Sequence, residues 1–293
     1  MAGQTVSEKL SQSLEFDAYK PAQIASRVQA AGVAKARQDL LTTLVLAVLA
    51  GAYISFGALF FTIAVTGSEL GWGPTQLLGG VAFSLGLILV IVAGAELFTG
   101  NALIVMAWAD RKIAAREVLR NWAIVYVGNL IGAGATAVLV VLSGVLELDG
   151  GAVGETAAAI ASAKLDLGLW EAFFRGILCN VLVCLAVWLS FAGRSVLDKV
   201  AAIIFPISAF VGAGFEHSVA NMYVIPVAFC AGLVRLDAGA MVANLIVVSA
   251  GNVVGGAVLV ALVYWLIFAR HGSGDKASPR RILKRCGETP DGK

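Results

Sequence analysis

Two stretches of the chain, 94–101 and 214–221, place the same polar residues inside long apolar runs. The first reads Gly-Ala-Glu-Leu-Phe-Thr-Gly-Asn and the second Gly-Phe-Glu-His-Ser-Val-Ala-Asn, so that Gly, Glu and Asn match. The second stretch contains His217, one of only two histidines in the chain. Polar, glycine-flanked interruptions at corresponding places in two halves of an apolar chain are typical of a site at membrane depth.

Apolar composition identifies the class of protein. Of 293 residues, 59% are hydrophobic and 14% are charged, which predicts a polytopic membrane protein. The segment 1–39 mixes charge with alanine and lacks the apolar core of a secretory signal. Three cysteines lie in apolar runs and the fourth, Cys286, lies in a basic tail, so we expect no metal site, disulfide or cofactor. We also expect no nucleic-acid partner.

Six apolar runs are long enough to cross the ~30 Å hydrocarbon layer, which takes about 20 helical residues. Four are of ordinary length: 40–66, 121–144, 171–193 and 239–268. The second and fifth, 76–109 and 197–234, would each be on the order of 50 Å long as straight helices. Each is therefore predicted to tilt strongly or to break, and the two matched motifs mark the breaks.

The duplication extends beyond the motifs. Asn121 with Gly128-Asn129 in the third run recurs at the same internal spacing as Asn244 with Gly251-Asn252 in the sixth. Irregular backbone at membrane depth is tolerated only where it is buried in protein or lines a cavity, so the broken runs are predicted to form a pore. Three spans per repeat is an odd number. We therefore expect an all-α integral membrane fold of six transmembrane helices in two inverted three-helix repeats, 40–144 and 171–269.

Lysine and arginine placement predicts the orientation of this fold. With six spans, 18 of the 21 basic residues lie on one side, in the N-terminal segment, two loops and the tail. Cytoplasmic loops carry the excess of Lys and Arg, so both termini are predicted to be cytoplasmic in a multi-pass inner-membrane protein. Segment 1–39 is expected to carry an amphipathic helix from Pro21 to Arg37, 40–269 to form the channel domain, and 270–293 to be a disordered basic tail.

The motifs resemble those of the formate/nitrite transporter family. The resemblance rests on Gly-Phe-Glu-His-Ser-Val-Ala-Asn-Met at 214–222, Leu-Phe-Thr at 97–99, Arg-Asn-Trp at 120–122 and Gly-Arg-Ser at 193–195. It implies a homopentamer with an aquaporin-like fold, in which each protomer has a pore for a small monovalent anion. Formate is the first candidate, nitrite and hydrosulfide are alternatives, and lactate and acetate are further small anions to test.

The same resemblance implies roles for individual residues. Lys164 lies in the segment between the third and fourth runs, which we expect to be a long external loop. By the resemblance it would fold back to the pore and pair with Glu216, whereas from the residues alone it could equally be a solvated surface lysine. Three of the other implied positions, Phe83, Leu87 and Phe210, would be called core or lipid-facing without the resemblance. All the other implied positions are Phe83, Leu87, Leu97 and Phe210 at hydrophobic constrictions; Thr99, Asn180 and Asn252 as polar neighbours of the histidine; and Leu97, Phe98, Thr99, Gly100 and Asn101 in a loop that moves and gates.

His217 and Glu216 can also be interpreted from their chemistry. Ionisable side chains in membrane spans are rare and by default mark a pathway, which favours a functional His217. Glu216 is assigned to the pore together with Lys164, and its alternative is a structural role, accepting hydrogen bonds from free loop N–H groups or pairing with a cation. For Glu96 we expect the structural role.

An energy comparison predicts the form of the cargo. Moving an anion into a dry slit carries an idealised cost on the order of 20 kcal/mol, and still several after relaxation. Protonating a carboxylate of pKa ~4 at pH 7 costs only about 4 kcal/mol. We therefore expect anions to gather at a positive vestibule, take a proton at or near His217, and cross the constriction as neutral acids.

Two other classes of protein were weighed. An aquaporin-type channel for neutral solutes needs Asn-Pro-Ala at both breaks, and neither break contains it. An intramembrane hydrolase could use Ser218 or Ser249 with His217, but residues 217 and 218 project about 100° apart on a helix and no Gly-x-Ser-x-Gly context is present. The sequence therefore predicts a channel or transporter and no enzyme, and leaves open the physiological anion, the direction, and whether transport is proton-coupled.

Overall fold

The computed structural model describes residues 17–235 and 237–270, which form helices joined by short connections. In chain order the helices are α1 (Pro21–Arg37), α2 (Leu40–Val65), α3 (Trp72–Gly94), α4 (Gly100–Ala109), α5 (Ala115–Leu142), α6 (Ala152–Leu165), α7 (Leu169–Ser190), α8 (Val196–Gly212), α9 (Ser218–Cys230) and α10 (Ala238–Ala269). Five of them, α2, α3, α5, α7 and α10, are long and apolar enough to cross a membrane. The predictions for positions 1–16 and for the tail from 271 lie outside the described residues.

Both long apolar runs break at the matched motifs. The second run divides into α3 and α4, with 95–99 between them, and the fifth divides into α8 and α9, with 213–217 between them. The chain turns at Gly94 and Gly214, whose φ angles of 84° and 66° lie in the left-handed region. A side chain at either position would be strained, which explains the glycine in both motifs.

Polar side chains define where several helices begin. Asp39 precedes α2 and accepts a hydrogen bond from the Thr42 amide at 2.9 Å, which holds the pKa of that carboxyl below its usual range. Ser195 and Asp198 form a reciprocal capping box at the start of α8. These caps satisfy N–H groups that the first helical turn leaves without partners.

The segment before the fourth run differs from the expectation of a long loop. Residues Ala152–Leu165 form helix α6, because the sequence AVGETAAAIASAKL is rich in alanine, the strongest helix former. The last turn of α6 carries Lys164. A rigid helix therefore positions this lysine.

The two halves of the chain pack in the same pattern. Helix α2 packs on α3 and α5, α7 packs on α8 and α10, and α3 meets α8 between the halves. A Cβ atom added to Gly132 of α5 would lie 2.0 Å from the carbonyl oxygen of Val48. A Cβ atom added to Gly255 of α10 would lie 2.2 Å from the carbonyl oxygen of Ile177. Both helix pairs thus bring their backbones together at glycine, as is common in membrane helices. Helix α1 lies against α4.

Candidate functional site

His217 lies at the start of α9, directly after the second break. Its Nδ1 accepts a hydrogen bond from the Ala220 amide at 3.1 Å, so the ring caps the helix. Because Nδ1 is the acceptor, the neutral ring carries its proton on Nε2. The side chain is buried, with 2% of the residue exposed. The break therefore places an orientated imidazole in the protein interior.

Thr99, in the first break, meets this histidine. Its Oγ1 lies 2.9 Å from Nε2 of His217, which donates to it in the tautomer that the Ala220 contact requires. Thr99 is fully buried. The two matched motifs are therefore in contact through Thr99, which follows Glu96 in the first, and His217, which follows Glu216 in the second.

Asn180 and Cys184 of α7 hold the backbone of Thr99. Asn180 Nδ2 donates to the Thr99 carbonyl at 3.2 Å and to the Asn252 carbonyl at 2.6 Å. The Cys184 thiol also donates to the Thr99 carbonyl, at 3.4 Å. The family resemblance implied Asn180 as a polar neighbour of the histidine, whereas Cys184 was not singled out from the sequence. The four-residue spacing of Asn180 and Cys184 was the available signal, because such residues share one helix face.

Glu216 is the centre of a buried polar network. Its Oε1 lies 2.9 Å from the Lys164 ammonium and its Oε2 accepts from Asn221 Nδ2 at 2.7 Å. The Asn221 amide also donates to Asn244 Oδ1 at 2.8 Å, and Asn244 Nδ2 donates to the Lys164 carbonyl at 3.0 Å. The carboxylate thus ties α6, α9 and α10 together.

An equivalent network surrounds Glu96. Lys35 Nζ lies 2.6 Å from Glu96 Oε1, and Asn101 Nδ2 donates to Glu96 Oε2 at 2.6 Å. Asn101 also donates to Asn121 Oδ1, and Asn121 donates to the Lys35 carbonyl. Sequence reasoning missed Lys35, although it lies as far before the start of α2 as Lys164 lies before the start of α7.

Two further asparagines hold the broken backbone itself. Asn129 accepts from the Phe98 amide at 2.9 Å and donates to the Glu96 carbonyl at 2.9 Å. Asn252 does the same for the Ser218 amide, at 3.0 Å, and the Glu216 carbonyl, at 2.9 Å. The Asn252 side chain therefore contacts the residues on either side of His217. It forms no hydrogen bond with the imidazole ring itself.

Two cavities lie near the histidine, and His217 itself lines the second of them. The Lys35 cavity, about 360 Å³, is lined by Lys35, Glu96, Arg27 and Lys199 and extends to Leu87 and Leu97. The Lys164 cavity, about 290 Å³, is lined by Lys164, Glu216 and Arg175 and extends to Phe83, Phe210 and His217. Each cavity therefore carries cationic side chains at its polar end.

An apolar constriction separates the cavities. A void of about 10 Å³ lies among Leu87, Leu97, Phe83, Phe210 and His217, with Ile54, Val183 and Ile207 completing its wall. A water molecule needs roughly that much space and several polar partners. The Phe83 and Phe210 rings meet edge to face with centroids 5.5 Å apart, and Phe210 stacks on His217 at 6.0 Å. The four residues expected at constrictions thus lie together around one narrow point.

The segment 97–101 is divided between this constriction and the protein core. Leu97 faces the void, and Thr99 faces His217. Phe98 packs edge to face against Trp122 and Tyr126, with ring centroids 6.2 and 5.0 Å apart. Gly100 and Asn101 line the Lys35 cavity. Only part of the predicted gating loop therefore faces the constriction.

Two cation-lined cavities that share residues with one apolar constriction, within a bundle of membrane-length helices, are the features of a membrane transport protein. The sequence model of the family described as Formate/nitrite transporter matches residues 22–266. The chain therefore belongs to the formate/nitrite transporter family, whose members are integral membrane channels and transporters and not enzymes.

Individual relatives agree with this assignment over most of their length. The formate channel FocA of Escherichia coli strain K12 is 40% identical over 278 residues, covering 87% of this chain and 96% of FocA. A probable formate transporter of Methanothermobacter thermautotrophicus is 40% identical over 267 residues, covering 85% of this chain and 97% of the relative. A solved pentameric formate channel with formate bound is 41% identical, with a TM-score of 0.73 over 78% of this chain and 97% of that chain.

Proposed function

We propose that this protein is a channel for small monovalent anions, with formate as its first substrate, and that the cargo crosses as the neutral acid. The observation that carries the proposal is the Thr99–His217 contact at a constriction between two cation-bearing cavities. The relatives named as formate channels support formate as the substrate.

The proposed membrane topology has six crossings in two inverted repeats. Each broken pair, α3 with α4 and α8 with α9, forms one crossing beside the four continuous helices. The excess of basic residues on one side supports cytoplasmic termini in the inner membrane. The Lys35 cavity then opens to the cytoplasm and the Lys164 cavity to the outside. Similarity to a pentameric formate channel supports a homopentamer with one pore in each protomer.

The constriction favours a neutral cargo on energetic grounds. An anion in this apolar void would forfeit hydration worth several kcal/mol or more, whereas protonating formate at pH 7 costs about 4 kcal/mol. Cationic side chains outnumber the glutamates in the lining of each cavity, three to one in the Lys35 cavity and two to one in the Lys164 cavity, and this net positive charge concentrates anions there. At the constriction, anions that have not been protonated are then excluded by the apolar side chains of Phe83, Leu87, Leu97 and Phe210.

The position of His217 determines how it can move a proton. Nδ1 already accepts the Ala220 amide hydrogen, and the positive end of the α9 dipole lies beside the ring, so both features oppose a charged imidazolium. The Nε2–H is the proton that faces Thr99 and the void. Transfer of this proton to a carboxylate oxygen requires Nδ1 to take up another proton, which releases the helix cap. His217 therefore charges only while an anion lies beside it.

Proteoliposome flux measurements test the proposal. Formate, nitrite, hydrosulfide, acetate and lactate are compared from pH 5 to 8 with an internal pH dye, and glycerol swelling tests for a neutral-solute channel. We expect formate flux accompanied by protons. Anion current without proton movement would overturn transport of the neutral acid. Glycerol permeation without anion flux would overturn the assignment as an anion channel.

Two variants separate the chemistry of His217 from its structural role. His217→Asn retains an oxygen acceptor for the Ala220 amide, since asparagine is a strong N-cap, but it cannot titrate. His217→Phe loses both functions. If His217 relays protons, both variants lose proton-linked formate flux, while only His217→Phe also loses stability. Unchanged pH-dependent formate flux in His217→Asn would exclude the relay.

A further inference from the structure

The two matched networks differ at one charged position. The Glu96 amide donates to the Leu46 carbonyl at 3.2 Å, and the Glu216 amide donates to the Arg175 carbonyl at 3.3 Å. Leu46 and Arg175 occupy the same position counted from the starts of α2 and α7. Arg175 thus holds the backbone position of Leu46 but adds a guanidinium group. The motifs themselves differ at five of their eight positions, among them His217 in place of Leu97, which the proposed function already uses.

Arg175 lines the Lys164 cavity together with Glu216 and His217. Its Nη1 donates to the Gly214 carbonyl at 3.1 Å, and its Nη2 pairs with Glu171, one turn earlier on α7. Its side chain is 38% exposed, so the group can be reached from the cavity. A guanidinium has five N–H donors, and these contacts use two of its nitrogens. Donors therefore remain for a ligand.

A fixed guanidinium recognises a particular anion geometry. It binds two oxygens of a planar anion in parallel, whereas an ammonium acts as a point charge. The contacts with Gly214 and Glu171 hold this group in the lining of the cavity, beside the loop that leads to His217.

We propose that Arg175 is a specificity-determining residue that admits planar two-oxygen anions, carboxylates and nitrite, to the Lys164 cavity before they reach His217. This inference rests on the proposed anion-channel function. The Glu171 carboxylate competes with an incoming anion for the Arg175 guanidinium, and this competition sets how strongly Arg175 binds the anion. Lys164 supplies general attraction, and Arg175 supplies the geometric preference.

Arg175→Lys tests the proposal because it retains the positive charge and a donor for Gly214 but loses the fork. Initial uptake rates of formate, nitrite and hydrosulfide are measured in proteoliposomes at fixed pH as a function of concentration. We expect the half-saturating concentrations of formate and nitrite to rise about tenfold, the size of one charge-assisted hydrogen bond. Hydrosulfide, with a single charged centre, is expected to change less than twofold. An equal change for all three anions would overturn the proposal.

Glu171→Gln provides an independent test that leaves Arg175 in place. Release of the guanidinium from its carboxylate is expected to lower the half-saturating concentrations of formate and nitrite relative to hydrosulfide. No change in this ratio would contradict the proposal even if Arg175→Lys failed to assemble. The control is the wild-type protein: if it transports none of the three anions, the proposed function fails. If it transports formate and both variants match it, only the role of Arg175 fails.

Discussion

Thr99 and His217 are separated by 118 residues, yet Oγ1 of one lies 2.9 Å from Nε2 of the other. Each residue belongs to a different broken run, and each is held by hydrogen bonds of its own, Thr99 through its carbonyl and His217 through Nδ1. The contact therefore joins the two halves of the chain at the constriction, where proton transfer is proposed.

Thr99→Val removes the hydroxyl while keeping the shape of the side chain. The Nε2–H of His217 then has no partner, which costs about 1–3 kcal/mol. We expect lower thermal stability in detergent and a several-fold loss of proton-linked formate flux. Thr99→Ser keeps the hydroxyl and serves as the control. Wild-type flux in Thr99→Val would mean that this contact plays no part in transport.

Glu216→Gln breaks the pair with Lys164 and leaves a lysine that is only 17% exposed without its counter-ion. Loss of one partner of a buried pair costs about 3–5 kcal/mol. The double variant Lys164→Met/Glu216→Gln removes both charges and is expected to regain much of that stability. Thermal unfolding of the single and double variants, read as a double-mutant cycle, measures the coupling. Additive effects would show that the two charges do not stabilise each other.

The Glu96 network is a matched comparison for this cycle. Lys35 is 32% exposed, so water already screens more of its charge. Glu96→Gln is therefore expected to cost less stability than Glu216→Gln in the same unfolding assay. A larger loss for Glu96→Gln would show that exposure of the lysine does not decide the strength of these pairs.

Leu97→Ala enlarges the constriction, since Leu97 lines the void and is 2% exposed. We expect acetate and lactate flux to rise relative to formate flux, with a stability cost of about 2–5 kcal/mol. Leu49→Ala is the control, because Leu49 on α2 is 38% exposed. It should change neither the ratio of acetate to formate flux nor the stability. An unchanged ratio of acetate to formate flux would place the narrowest point of the pathway elsewhere.

Gly132→Ala should destabilise the bundle by several kcal/mol, because its Cβ would lie 2.0 Å from the Val48 carbonyl oxygen and the helices would have to separate. Gly134 lies on the same helix with nothing within 4 Å of an added Cβ. Gly134→Ala should therefore be neutral or slightly stabilising, since alanine is the better helix former. Thermal unfolding of the two purified variants compares them, and similar melting temperatures would contradict the packing argument.

Several structural features followed from local properties of the residues. Run length against membrane thickness predicted that 76–109 and 197–234 would each tilt strongly or break, and each breaks at its motif. Pro21 and the spacing of apolar residues located α1 correctly at Pro21–Arg37. The alanine-rich helix α6 was treated as a loop, although its composition alone favours a helix.

By itself the sequence determined that this is an apolar, duplicated membrane protein whose two polar motifs interrupt their helices, because hydropathy, glycine conformation and residue spacing act locally. Only the tertiary structure decided that Lys35 pairs with Glu96, that Asn180 and Cys184 hold the Thr99 carbonyl, and that Thr99 meets His217. These contacts join residues that are far apart in the sequence, and their geometry depends on how the helices cross. A hydrogen bond requires its atoms within about 3 Å, and no periodicity along the chain encodes that distance.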